Sequence, residues 1–257
     1  MKKIIPILLI IAATSARAQG LNPSDYEKVL LPILIQETPG AFGSRFISSF
    51  FAYNDSDARV GYYPSVCSYT CPLLQYLAAK SEAVPALPTA SPTEAPGLLL
   101  YVERTGSNKV SFNLRVQDLS RQALTWGTDL PVVREESFYT GKIQLLNIPL
   151  DERFRQTVRV YDVDATGSGA VTLRAFDAAT GEALGMTVLS LPVLSQATPP
   201  SKPGFGQLFS LSSTFPGITG HDRIRLEIES ATPGLRYWAF ATITNRETQH
   251  ITTITPQ

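Results

Sequence analysis

Cysteine, histidine, tryptophan and methionine each occur only twice among 257 residues. With histidines only at His221 and His250, the chain has no H-E-x-x-H metalloprotease helix. It also lacks a G-x-S-x-G string, which removes a nucleophile elbow of the α/β-hydrolase kind. Excess charge of either sign is missing, since 22 basic residues balance 22 acidic ones. Nucleic-acid binding relies on clustered Lys and Arg, so that partner class is disfavoured. The one sustained apolar run, Ile4 to Ala13, is ten residues long. A bilayer-spanning helix needs roughly twenty, so no membrane span is expected.

What is present begins with MKKIIPILLIIAATSARA. Lys2 and Lys3 form a basic start, the apolar run follows, and Ala16-Arg17-Ala18 matches the small-x-small pattern cut by signal peptidase. Residues 1–18 are therefore expected to be a Sec-type signal peptide. The mature chain would start at Gln19 and work in the periplasm or outside the cell. Removing Lys2, Lys3 and Arg17 leaves 19 basic against 22 acidic residues, a net charge of −3. In an oxidising compartment Cys67 and Cys71, within VCSYTC, are expected to form a small disulfide loop. Metal binding at this pair would need further ligands, and neither histidine is near it in sequence.

Strand periodicity dominates the rest. In KVSFNLRVQD, Val110, Phe112, Leu114 and Val116 alternate with Ser111, Asn113, Arg115 and Gln117. In DRIRLEIES, Ile224, Leu226 and Ile228 alternate with charged residues. Such alternation belongs to antiparallel sheets with one buried and one wet face. Turn signals such as TGSN, DATGSG, AATG and ATPG separate the runs. Helix is minor: PLLQYLAAK (72–80) and GQLFSLSSTF (206–215) each predict a short helix in a crossover loop. The proline-rich stretches 83–96 and 197–206 read as exposed extended loops.

A shift of 125 residues lays GLLLYVERTGSNKVSFNLRVQ over DRIRLEIESATPGLRYWAFAT without a gap. The same shift carries Thr128 onto Thr253 and Pro131 onto Pro256. This points to an internal repeat. The fold class expected is all-β, with two tandem antiparallel β-sandwich units of immunoglobulin-like type. Residues 19–27 form a linker, 28–133 the first unit and 134–257 the second.

Chemical candidates are few. Glu135, Glu136, Asp151 and Glu152 supply carboxylates of the kind a glycosidase pairs across a cleft, but solvated turn acids explain them as well. His221 with Asp222, or His250, offers a base without an evident nucleophile. Asp162 and Asp164 begin a pattern like a calcium loop, but Leu173 stands where its twelfth-position Glu would be. Calcium is the only cofactor candidate, and a hairpin turn accounts for the same residues. Tyr62, Tyr63 and Tyr69 cluster around the Cys pair, and Trp238 adjoins Tyr237. Exposed rings of this kind make platforms for sugars or proteins, and the competing explanation for Trp238 is packing against the neighbouring unit.

Residues 30–63 and 236–256 resemble uncharacterised secreted bacterial proteins. The resemblance is carried by Pro39, Gly40, Gly43, Ser44, Phe46 and Asn54, then by Ala239, Ala241, Thr242, Ile243, Asn245, Thr248 and Pro256. It implies a β-sandwich surface or accessory module, of a sort also found beside secreted proteases and in adhesin-like proteins, and it carries over no catalytic residue. Together these readings predict an exported, non-enzymatic binding or adhesion module with an extracellular polysaccharide or protein partner. The alternative is a secreted hydrolase of carbohydrate or peptide using loop carboxylates.

Overall fold

The computed structural model describes residues 22–63, 74–85, 87, 97–165, 167–194 and 200–257. Residues 1–18, expected to be a leader, and Cys67, Tyr69 and Cys71 lie outside the described residues. Among those described, the first half supplies β1 (Tyr26–Leu31), β2 (Thr38–Pro39), β3 (Arg45–Asn54), β4 (Val60–Tyr63), β5 (Gln75–Leu77), β6 (Ser81–Ala83), β7 (Leu98–Glu103), β8 (Val110–Asp118), β9 (Thr128–Leu130) and β10 (Val133–Arg134). The second half supplies β11 (Ile143–Pro149), β12 (Phe154–Asp162), β13 (Gly169–Asp177), β14 (Ala183–Leu191), β15 (Gly204–Leu208), β16 (Arg223–Ser230), β17 (Tyr237–Asn245) and β18 (Ile251–Ile254). Every ladder is antiparallel. No described helix is long and apolar enough to cross a membrane.

The pairing has the same order in both halves. The run β1-β7-β4-β5 corresponds to β11-β16-β13-β14, and β3-β8-β9 to β12-β17-β18, with β6 and β15 each pairing the strand equivalent to the other's partner. This order is not that of immunoglobulin domains, where the first, second, fifth and fourth strands share a sheet. Here the first, sixth, third and fourth do. Alternation had indicated which face of each strand is buried, but it carries no information on which strand lies beside which.

Local chemistry explains the strand ends. β13 alternates without a break, sending Val171, Leu173 and Ala175 inward, and the Asp177 carboxylate then accepts the N–H groups of Ala179 and Thr180 to turn the chain into β14. Asn54, wholly buried at the end of β3, donates to the carbonyls of Ala58, Leu77 and Ala78 and accepts from Ser56. The described part of 72–80 is strand β5 and a turn rather than a helix, because Leu77 buries in the sheet while Tyr76 faces solvent. Of 206–215 only Leu211–Thr214 is helical, a single turn capped by the Ser210 hydroxyl, and the preceding residues form β15.

Two apolar clusters fill the interior, and one sheet serves both. On β12 and β17, Val158, Val160, Tyr237, Ala239, Ala241 and Ile243 face the second cluster. Tyr161, Trp238 and Phe240 point the other way, into the first. The Tyr161 hydroxyl donates to the Pro32 carbonyl across this junction at 2.6 Å. The segment before β15 also docks on the first half, with the Leu99 N–H on the Ser201 carbonyl and the Tyr101 hydroxyl on the Pro200 carbonyl. The first half extends through β10, which pairs with β1, and β1 takes in Tyr26 and Glu27 from the expected linker.

Candidate binding clefts

The described members of the expected aromatic platform are not on the surface, and Tyr69 lies outside the described residues. Tyr62 is 5% exposed, Tyr63 9% and Trp238 4%. Tyr63 packs edge-on against Tyr26 at 5.2 Å, and Trp238 stacks on Phe240 at 5.2 Å within the junction between the halves. Trp238 lies inward because the face of β17 that alternation marks as outer is covered by the first half, and Tyr62 and Tyr63 lie on β4 within the first half's own core. The calcium reading is likewise corrected by charge. Lys28 and Arg236 each approach Asp164 to 2.7 Å, and Asp162 accepts the N–H groups of Asp164 and Ala165 in a turn. Burial raises Asp164, but the hydrogen bonds from Arg236 and Lys28 outweigh it and hold the carboxyl at about 2. Two cations already neutralise the group that a metal would need.

Arg236, which bonds Asp164, lines a polar cleft of about 640 Å³ formed where the halves meet. Glu27, Arg104, Arg134, Glu135, Glu136 and Arg236 line it. Glu135 pairs with Arg104 at 2.9 Å and with Arg236 at 3.4 Å, and Arg134 pairs with Glu27 at 2.7 Å. Burial raises Glu135, and the Arg104 contact, the Lys28 N–H and the charge of Arg236 bring it below its usual value. These charges satisfy one another and tie the halves together.

The second region is more open. Two adjoining clefts, of about 750 and 690 Å³, share Asn147, Gly220, His221, Asp222 and Arg223 and make one trough at an end of the second half. Each wall has a local cause. β11 carries a register break between Leu145 and Ile148, and Asn147 sits there with φ of 59°, a conformation that asparagine tolerates better than most residues. Its side-chain oxygen accepts from Arg223 at 3.3 Å. The β11 to β12 connection brings Asp151 and Glu152, while Leu150, Phe154 and Ile243 give an apolar floor. The turn after β13 brings Asp177, whose carboxylate lies 2.7 Å from His221 Nδ1.

The sequence candidates therefore separate. His221, Asp222, Asp151 and Glu152 come together in the trough, Glu135 and Glu136 lie at the junction, and the backbone at His250 closes the turn between β17 and β18. Sequence reasoning missed Asp177, Asn147 and Arg223. The turn signal beginning at Ala178 was visible, but its convergence with Asn147 and Arg223 depends on sheet order. Chemically, the trough presents acceptors and a guanidinium. The Thr180 N–H, His221 and the Thr180 hydroxyl hold Asp177 well below the carboxylate range, and Arg153 holds Asp151 at about 2. Neither can donate a proton as a general acid near neutral pH. No protein-family model, curated protein or solved structure matches the chain.

Proposed function

We propose that the chain is an exported, non-catalytic module built as two tandem sandwich units, and that the trough around His221 binds an extracellular polysaccharide. The observation that carries this reading is the trough itself. It is an open polar channel in which His221, Asp222, Arg223 and Asn147 present hydrogen-bonding groups beside Phe154 and Leu150. Sugars are recognised by that combination of fixed polar groups and apolar area. The acids whose state is set by neighbours, Asp151 and Asp177, are held ionised and so act as acceptors. The leader sequence and the resemblance to secreted β-sandwich proteins support the same reading.

A hydrolase is the second reading, favoured by the 2.7 Å contact of His221 with Asp177, which is the base and orienting group of a triad. Glycan-array retention of the purified chain, with hydrolysis followed on the retained glycans, decides between them. Retention that is lost in Asp222→Ala, with no turnover, supports binding. Turnover abolished by His221→Ala would replace it with the hydrolase.

A further inference from the structure

β3 and β8 hold in the first half the places that β12 and β17 hold in the second. In the second half the outward face of that pair is covered, with Tyr161, Trp238 and Phe240 packed into the first cluster. In the first half it is open. Phe50 and Ala52 point inward on β3, so Phe51 and Tyr53 point outward, 37% and 41% exposed. Register sets Phe51 beside Asn113, and Tyr53 between Ser111 on β8 and Glu82 on β6. All five line a shallow cleft of about 320 Å³. The Tyr53 and Ser111 hydroxyls and the Glu82 carboxylate have no hydrogen-bond partner among the described residues, while Asn113 donates to Asp129 at 3.3 Å. Arg115, the cation of β8, is taken by Asp129 at 2.7 Å.

Two residues along one strand set the Cα atoms of Phe51 and Tyr53 about 7 Å apart, so their rings stand in a row on the open face. We propose that Phe51 and Tyr53 form a stacking platform for a neutral polysaccharide, with sugar rings lying on the aromatic rings and sugar hydroxyls taken by Ser111, Asn113 and Glu82. The apolar face of a sugar ring suits an aromatic ring, and its hydroxyl rim suits short polar side chains at the edge. One free carboxylate and no unpaired cation offer a polyanion nothing to hold. A second copy of the chain fits the platform less well. The broad sheet face it could offer is the outward side of β13 and β16, where Arg174 pairs with Glu229 at 2.8 Å and Arg225 with Glu227. Laying those ion pairs on two aromatic rings would strip their water and return no counter-charge.

This inference rests on the binding-module reading and adds a second sugar contact, on the other half of the chain. A long polymer can engage the platform and the trough together, so losing either weakens its retention. Short oligosaccharides separate the two. Calorimetric titration of the full chain carrying Asp222→Ala with cellohexaose, laminarihexaose, xylohexaose and polygalacturonate reads the platform. The expected result is saturable binding of a neutral hexasaccharide that is insensitive to salt and falls about tenfold or more when Phe51→Thr or Tyr53→Thr is added. Threonine suits a strand, so both variants should stay folded by circular dichroism. Binding unchanged by either threonine, no heat with any neutral hexasaccharide, binding of polygalacturonate alone, or a dimer in sedimentation that Tyr53→Thr dissolves would overturn the platform. Each of these leaves the trough standing where polymer retention by the original chain is still lost in Asp222→Ala.

Discussion

Replacing Trp238 by alanine tests how the two halves are joined. The indole is 4% exposed, stacks on Phe240 at 5.2 Å and lies 6.2 Å from Tyr161, all on the face of β17 that meets the first half. Truncating a ring packed on all sides costs about 3–5 kcal/mol, the lost transfer energy plus the cavity. For a chain of this size each kcal/mol moves Tm by roughly 2–4 °C, so the midpoint should fall by about 6–20 °C. The position of the ring adds a qualitative signature. With Trp238 in place the halves should melt in one transition, since Tyr161, Trp238 and Phe240 belong to the cluster of the first half. With it removed, the junction weakens more than either sandwich, and calorimetry should resolve two transitions. A loss below about 1 kcal/mol, with one unchanged transition, would refute the placement of this ring between the halves.

Stability should also fall in acid through Asp164. Its carboxyl sits at about 2 in the folded protein against about 3.9 unfolded, so its contribution is complete above pH 4 and is lost as the pH falls through 2. The side chain is a quarter exposed, so that contribution is on the order of 1 kcal/mol, and Asp164→Asn should flatten this part of the profile in denaturant titrations. Gly217→Ala should cost about 1–3 kcal/mol, because a Cβ there would lie 2.3 Å from the Leu184 carbonyl oxygen, and urea midpoints would show it. Tyr161→Phe removes the donor to the Pro32 carbonyl and should cost about 1–3 kcal/mol by the same assay.

Strands with one wet face were legible because alternation and burial coincide. β8 and β16 fall on the runs KVSFNLRVQD and DRIRLEIES, and β7 with β8 occupies the same place in the pairing order as β16 with β17, as the 125-residue shift implied. Burial on both faces of β17 was legible only at Trp238, where packing against the neighbouring unit was one of two readings. A strand covered by two layers shows an apolar pattern whose second face resembles an exposed platform until the other half is in place; for Trp238 both a platform and packing against the neighbouring unit fitted the sequence, and the fold has the packing. The segment around Leu77 misled for a related reason. Leu73, Leu74 and Leu77 fit a helical face, and only pairing with Val60 makes Leu77 a strand residue. The clefts were beyond local reading, since Asp177, His221 and Asn147 come from three separate segments of the chain, and the Lys28–Asp164–Arg236 cluster draws on both halves.

The most direct measurement of the central claim is a titration of the purified chain with the glycan it retains best, with reducing ends assayed in the same samples and repeated with His221→Ala and Asp222→Ala. The account predicts saturable binding, a loss of about tenfold or more in each variant, and no release of reducing ends. Reducing ends that accumulate with the original chain, or binding that survives both substitutions, would contradict it.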